Sequence, residues 1–179
     1  MTRIAPLKPP FPPAVQARLD AVMQGAPPLL LFTTLARNPR VFERFMAGGL
    51  LDKGSITLRE REIVIDRTTA RCGSEYEWGV HVAIFAKAAG LTPEEIHATV
   101  KGAPDDPCWS PRESQLLWLV DSLHHTGAVS DDLWATLRTE FTEEQLLECI
   151  VLTGFYHTVS FVTNALKLPL EPNAARFPS

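Results

Sequence analysis

The chain is poor in the residues that would make its chemistry easy to name. Three cysteines, Cys72, Cys108 and Cys149, stand 36 and 41 residues apart. No C-x-x-C occurs, no spacing suits a zinc site and the number is odd, so reduced thiols are the simplest state. The five histidines, His81, His97, His124, His125 and His157, contain no H-x-x-x-H pair. No metal is therefore expected, unless residues of distant helices converge. Basic residues are not in excess, 17 against 21 acidic ones and a net charge of −4, and no Lys/Arg stripe is interleaved with aromatics. Nucleic acid is not an expected partner. No run of about 18 apolar residues suggests a membrane span, and the opening M-T-R-I-A-P-L-K-P-P-F-P-P lacks the core of a signal peptide. A soluble, cytoplasmic protein is the default. Alternating β patterns are almost missing as well.

Helix punctuation is plentiful instead. Thr57/Glu60, Ser74/Glu77, Thr92/Glu95, Ser110/Glu113 and Thr142/Gln145 all read as capping boxes, and Asn38-Pro39 as an N-cap with proline at the first helical position. Apolar residues at helical spacing follow each of them. An all-α domain of roughly eight or nine helices results. The last helix is expected to run from Thr142 to about Leu166 through Gly154, which would mark a close helix crossing. Eight of the fifteen prolines lie within the first 39 residues. Residues 1–13 thus read as an extended arm, of the kind that often lies across a neighbouring subunit, 14–171 as a single domain and 172–179 as a short tail.

Chemistry is concentrated between Arg67 and Gly90, R-T-T-A-R-C-G-S-E-Y-E-W-G-V-H-V-A-I-F-A-K-A-A-G. A helix beginning at Ser74 and continuing to about Ala89 stacks Glu77 and His81 one turn apart on one face. A carboxylate near the helix N-terminus favours the charged imidazole and makes His81 a candidate proton donor. The same pair also reads as a cap and a hydrogen-bonded core histidine. Arg71 and a nearby helix start would lower the pKa of Cys72, although a small residue at a helix junction fits equally. His157 and Tyr156 on the last helix are placed to reach the same pocket. His124 and His125, at a helix end, are explained by the dipole.

The runs R-E-R-E-I-V-I-D-R-T, R-C-G-S-E-Y-E-W-x-x-H, G-L-T-x-E-E-I and L-L-E-C-I-V-L-T-G-F-Y-H-x-x-x-x-x-x-N-A-L resemble the carboxymuconolactone decarboxylase-like family, related to alkylhydroperoxidase D. They span residues 35–171. The resemblance implies an all-helical, alkylhydroperoxidase D-like subunit assembled into trimers or hexamers, with its site near the start of the E-Y-E-W helix. The peroxidase branch carries C-x-x-C-x-x-x-H; aligned on His81, Ser74 and Glu77 occupy the thiol positions and Glu62 that of the upstream glutamate. The decarboxylase branch has a glutamate and histidine four apart and needs no cysteine or cofactor.

On that reading His81 is the general acid, Glu77 orients it, Glu62 completes a proton relay, and Arg67 or Arg71 holds an anionic or lactone-like metabolite. Tyr76, Trp78, Tyr156 and His157 complete the substrate contacts. Arg59, Arg61, Arg67 and Arg71 read alternatively as a solvated helix face. A thiol-dependent peroxidase using Cys72 and a non-catalytic helical oligomer are the competing functions.

Overall fold

A computed structural model of the chain describes residues 2–179. Among them lie nine helices: α1 (Pro13–Met23), α2 (Leu30–Leu35), α3 (Pro39–Met46), α4 (Leu58–Arg71), α5 (Glu75–Phe85), α6 (Pro93–Lys101), α7 (Pro111–Thr126), α8 (Asp131–Glu140) and α9 (Glu143–Leu166). The capping boxes at Thr57, Thr92, Ser110 and Thr142 form with both reciprocal bonds, and the Asn38 side chain accepts from Val41 N. The expected box at Ser74 does not form. Its hydroxyl pairs instead with Thr163 Oγ1 of α9 at 2.8 Å, which releases Glu77 for other work. α5 also stops at Phe85, short of Ala89, and the chain turns through Gly90.

α4 is the central element, packed against α5, α6, α7 and α9. Ile63, Val64 and Ile65 are consecutive and all fully buried, so this helix has no solvent face over its middle. Each such side chain is worth about 1.5–3 kcal/mol on removal from water. Glu60, Arg61, Glu62, Asp66 and Arg67 are buried with them. The solvated-face reading fails for these positions, and charges in such a place need partners. Arg112 Nε reaches Glu60 Oε1 at 2.6 Å, and Arg61 Nη2 reaches Glu62 Oε1 at 2.7 Å.

α9 carries 24 residues and is, by length and composition alone, apolar enough to cross a membrane. It is one wall of the core, with Leu146, Leu152, Tyr156 and Val159 buried against the other helices. A Cβ added at Gly154 would meet nothing within 4 Å, so the close crossing expected there is absent within the chain. Leu147, Val151 and Phe161 remain exposed along the same helix.

Both chain ends pack on the helices. Arg3 N donates to Leu166 O, Leu7 N to Thr33 O and Arg37 Nε to Ala5 O, so the arm lies along its own subunit. After Pro172 the chain does not leave the fold as a tail but forms a strap over α5. Ala175 N donates to Gly79 O at 2.9 Å, Phe177 N to Glu75 Oε1 at 3.0 Å, and the Phe177 ring lies 5.2 Å from Trp78. A Cβ on Gly79 would collide with the Ala175 carbonyl, so glycine is needed where strap and helix meet.

Candidate active site

His81 projects from α5 toward α4 and α9, and is 3% exposed. Its Nδ1 lies 2.8 Å from Glu62 Oε2. Its Nε2 lies 3.0 Å from the Tyr156 hydroxyl and 3.5 Å from Glu77 Oε1. The Tyr156 ring meets the imidazole edge-on at 5.0 Å, and Phe85 covers the other side at 5.3 Å. The residue that orients His81 is therefore Glu62, from another helix; Glu77, expected in that role, stands further off with its Oε2 unpartnered.

Electrostatics fix the protonation state. Burial pushes the His81 pKa down, but the Glu62 and Glu77 carboxylates overcome that and raise it to about 10. The ring is an imidazolium at neutral pH, Nδ1–H donating to Glu62 and Nε2–H to the Tyr156 oxygen. Burial, followed by the charges of Glu77 and Glu62, raises the Tyr156 pKa well above the phenol value.

Asp66 joins this cluster unannounced by any motif. It lies one turn after Glu62 on α4, is fully buried, and neither carboxyl oxygen has a hydrogen-bond partner. Burial raises its pKa well above the ordinary carboxylate range, against the pull of His81 and with the push of Glu62. The i, i+4 spacing of two carboxylates around an Ile-Val-Ile run was the available signal.

The arginines are redistributed. Arg67 is fully buried; Nε and Nη2 grip Asp121 at 2.8 and 2.7 Å, and Nη1 donates to the carbonyls of Ala98, Thr99 and Gly102. Arg71 grips the same carboxylate at 2.8 and 2.7 Å. Arg67 is a structural clamp with Nε, Nη1 and Nη2 all committed, which leaves nothing for the substrate-anchoring role expected of it, whereas Arg71 spends Nε and Nη2 on Asp121 and is partly exposed. Arg61 is the arginine that touches the site. It bonds Glu62, donates to Leu51 O, and lines a cavity of about 210 Å³ together with Leu51, Lys53, Ile56 and Glu148. His81 itself does not line that cavity.

Tyr76 and Trp78 also leave the list of substrate contacts. The Tyr76 hydroxyl donates to Glu171 and accepts from Leu31 N, tying the C-terminal strap to α2. The Trp78 indole donates to Thr99 Oγ1 at 3.0 Å inside the core.

Cys72 and His157 do not join His81. They meet His124: Cys72 Sγ lies 3.8 Å and His157 Nε2 3.1 Å from His124 Nδ1. Burial raises the Cys72 thiol, partly offset by Ser160, and Arg71 is committed to Asp121, so the expected activation is not seen. Burial, then His157 and His125, lower the His124 pKa, opposite to the dipole expectation. Cys149 is pushed up to about 12 by burial and two glutamates, in keeping with an inert core thiol.

The fold recurs in solved structures. An uncharacterized peroxidase-related protein from Silicibacter sp. TM1040 superposes with a TM-score of 0.83 at 17% identity, over 99% of this chain and 96% of that one. An alkylhydroperoxidase AhpD core protein from Ralstonia eutropha JMP134 gives 0.78 at 21% identity, over 96% and 95%. The debrominase Bmp8 gives 0.77 at 15%, over 97% and 94%. At such identities the likeness establishes the shared fold. Among curated proteins no sequence matches the chain. The profile of the carboxymuconolactone decarboxylase family matches residues 37–121, a segment that contains Arg61, Glu62, Asp66, Glu77 and His81. Residues 37–121 thus match the carboxymuconolactone decarboxylase family, and the chain as a whole has a helical fold shared with an alkylhydroperoxidase AhpD core protein.

Proposed function

We propose that the chain is a cofactor-free proton-transfer enzyme acting on a small anionic or lactone-like metabolite, with decarboxylation as the reaction. The observation that carries this is the buried ring of His81, held at Nδ1 by Glu62 and facing Tyr156 and Glu77 at Nε2. In a decarboxylation the bond to the departing carboxylate breaks, its electron pair passes toward the lactone carbonyl, and carbon takes a proton. His81 supplies that proton from Nε2 once substrate bound at Arg61 displaces the Tyr156 hydroxyl from Nε2 and reaches past the cavity, which His81 does not line; Glu62 keeps the ring oriented and stabilises its charge. Arg61 pairs with the anionic group at the 210 Å³ cavity, in the role first given to Arg67 and Arg71. The side chain of Arg61 is also the direct link from that cavity to Glu62. The homo-oligomer implied by the family resemblance finds support in the exposed Leu147, Val151 and Phe161 beside the open surface of Gly154; a light-scattering mass of one chain removes it.

The test is carbon dioxide release from a carboxylated lactone. His81→Gln lowers kcat by roughly 10²–10⁴, and Arg61→Leu raises KM. Wild-type turnover in His81→Gln, or no release by the wild-type protein from any carboxylated lactone, overturns the proposal.

A further inference from the structure

Cys72, His124 and His157 come from three different helices, α4 at its C-cap, α7 in its last turn and α9 near its middle. One ligand atom from each, Sγ, Nδ1 and Nε2, lies within 4.8 Å of the other two. A tetrahedral zinc ion with Zn–S of about 2.3 Å and Zn–N of about 2.0–2.1 Å sets S···N and N···N edges of about 3.6 and 3.3 Å. The corresponding separations here are 3.8 Å for Cys72 to His124 and 3.1 Å for His124 to His157. Two of the three edges thus match the ion, and the third, Cys72 Sγ to His157 Nε2, is within 4.8 Å.

The tautomers agree with this use. His157 Nδ1 lies 2.9 Å from Thr153 O, so Nδ1 carries the hydrogen and the Nε2 lone pair points into the cluster. A backbone carbonyl behind a ligating imidazole is the usual outer support of a metal site. The frame is also rigid. Asn164 Nδ2 donates to Cys72 O at 2.9 Å, and the Arg71–Asp121 pair ties the end of α4 to α7 one turn before His124. All three ligands are partly exposed, which leaves an approach for an ion and for a fourth ligand.

We propose that Cys72, His124 and His157 bind one zinc-class divalent cation, with a fourth coordination position open to water or a small ligand. One thiolate and two imidazoles favour zinc over the hard cations calcium and magnesium. Binding releases one proton, from the Cys72 thiol, and moves the His124 proton from Nδ1 to Nε2. The site is independent of the chemistry assigned to His81.

Chelator-treated full-length protein is titrated with cobalt(II), then with zinc. The expected result is one cobalt per chain with a thiolate-to-cobalt charge-transfer absorption that zinc abolishes. Cys72→Ser loses that absorption, and His157→Gln and His124→Gln each bind about a hundredfold more weakly or worse. His125→Asn, at the exposed neighbouring imidazole, binds as the wild type does, and far-UV circular dichroism confirms the fold of every variant. No charge-transfer absorption at stoichiometric cobalt overturns the proposal, as does wild-type affinity in the folded His124→Gln variant.

Discussion

Replacing Glu62 with glutamine preserves the shape of the group facing His81 Nδ1 and removes its charge. The rise of the His81 pKa from 6.5 to about 10 corresponds, at about 1.4 kcal/mol per tenfold change, to roughly 5 kcal/mol of preference for the imidazolium in the folded state. Because the folded value lies above the unfolded one, this stabilisation is fully present below pH 6.5. It is lost as pH rises toward 10. A hydrogen bond to a charged group is worth about 1.5–3 kcal/mol, and that is the share expected to leave with the Glu62 charge. Urea unfolding at intervals between pH 6 and 9.5 is therefore expected to show wild-type stability falling with pH and a shallower fall in Glu62→Gln. The His81 ring resonances, followed by NMR, titrate far above neutrality in the wild type and lower in the variant. A wild-type His81 titrating near 6.5, or equal slopes in both proteins, refutes the reasoning.

Asp66→Asn removes a carboxyl whose pKa burial pushes up. Its raised pKa means that stability is lost as pH climbs above the unfolded value, so the substitution raises the melting temperature at pH 7 more than at pH 4; a smaller gain at pH 7 argues against a buried neutral acid. Gly79→Ala drives a methyl into the Ala175 carbonyl and is expected to cost about 1–3 kcal/mol despite the better helix propensity of alanine, with a red shift of tryptophan emission as the strap lifts from Trp78. Unchanged or higher stability would show that the strap is loosely held. Limited peroxide followed by mass spectrometry is expected to modify Cys72 no faster than Cys108, since burial leads the upward push on both thiols; a sulfenic acid at Cys72 alone would favour the peroxidase reading.

Helix starts were readable wherever the bonds that make them are local. Thr57, Thr92, Ser110 and Thr142 need only a residue three positions on, and all four caps form. Ser74 carried the same local signal but is claimed by Thr163, 89 residues away, which no local pattern reports. The placement of His81 divides in the same manner. Its neighbour Glu77 follows from helical spacing, whereas Glu62 and Tyr156 arrive from other helices, 19 and 75 residues distant. Arg67 was misread because a charged side chain in a helix looks the same in sequence whether water or Asp121 satisfies it. The Cys72–His124–His157 grouping depends on separations of 52 and 33 residues and has no motif to announce it.

The strap from Glu171 to Phe177 is synthesised after all nine helices. Until it emerges from the ribosome, Trp78 lacks its aromatic neighbour, Gly79 O its backbone donor and Tyr76 its carboxylate partner. The helix that carries His81 is thus fastened only after the nine helices have been made, and a bulky group placed directly after these residues would interfere with that fastening first.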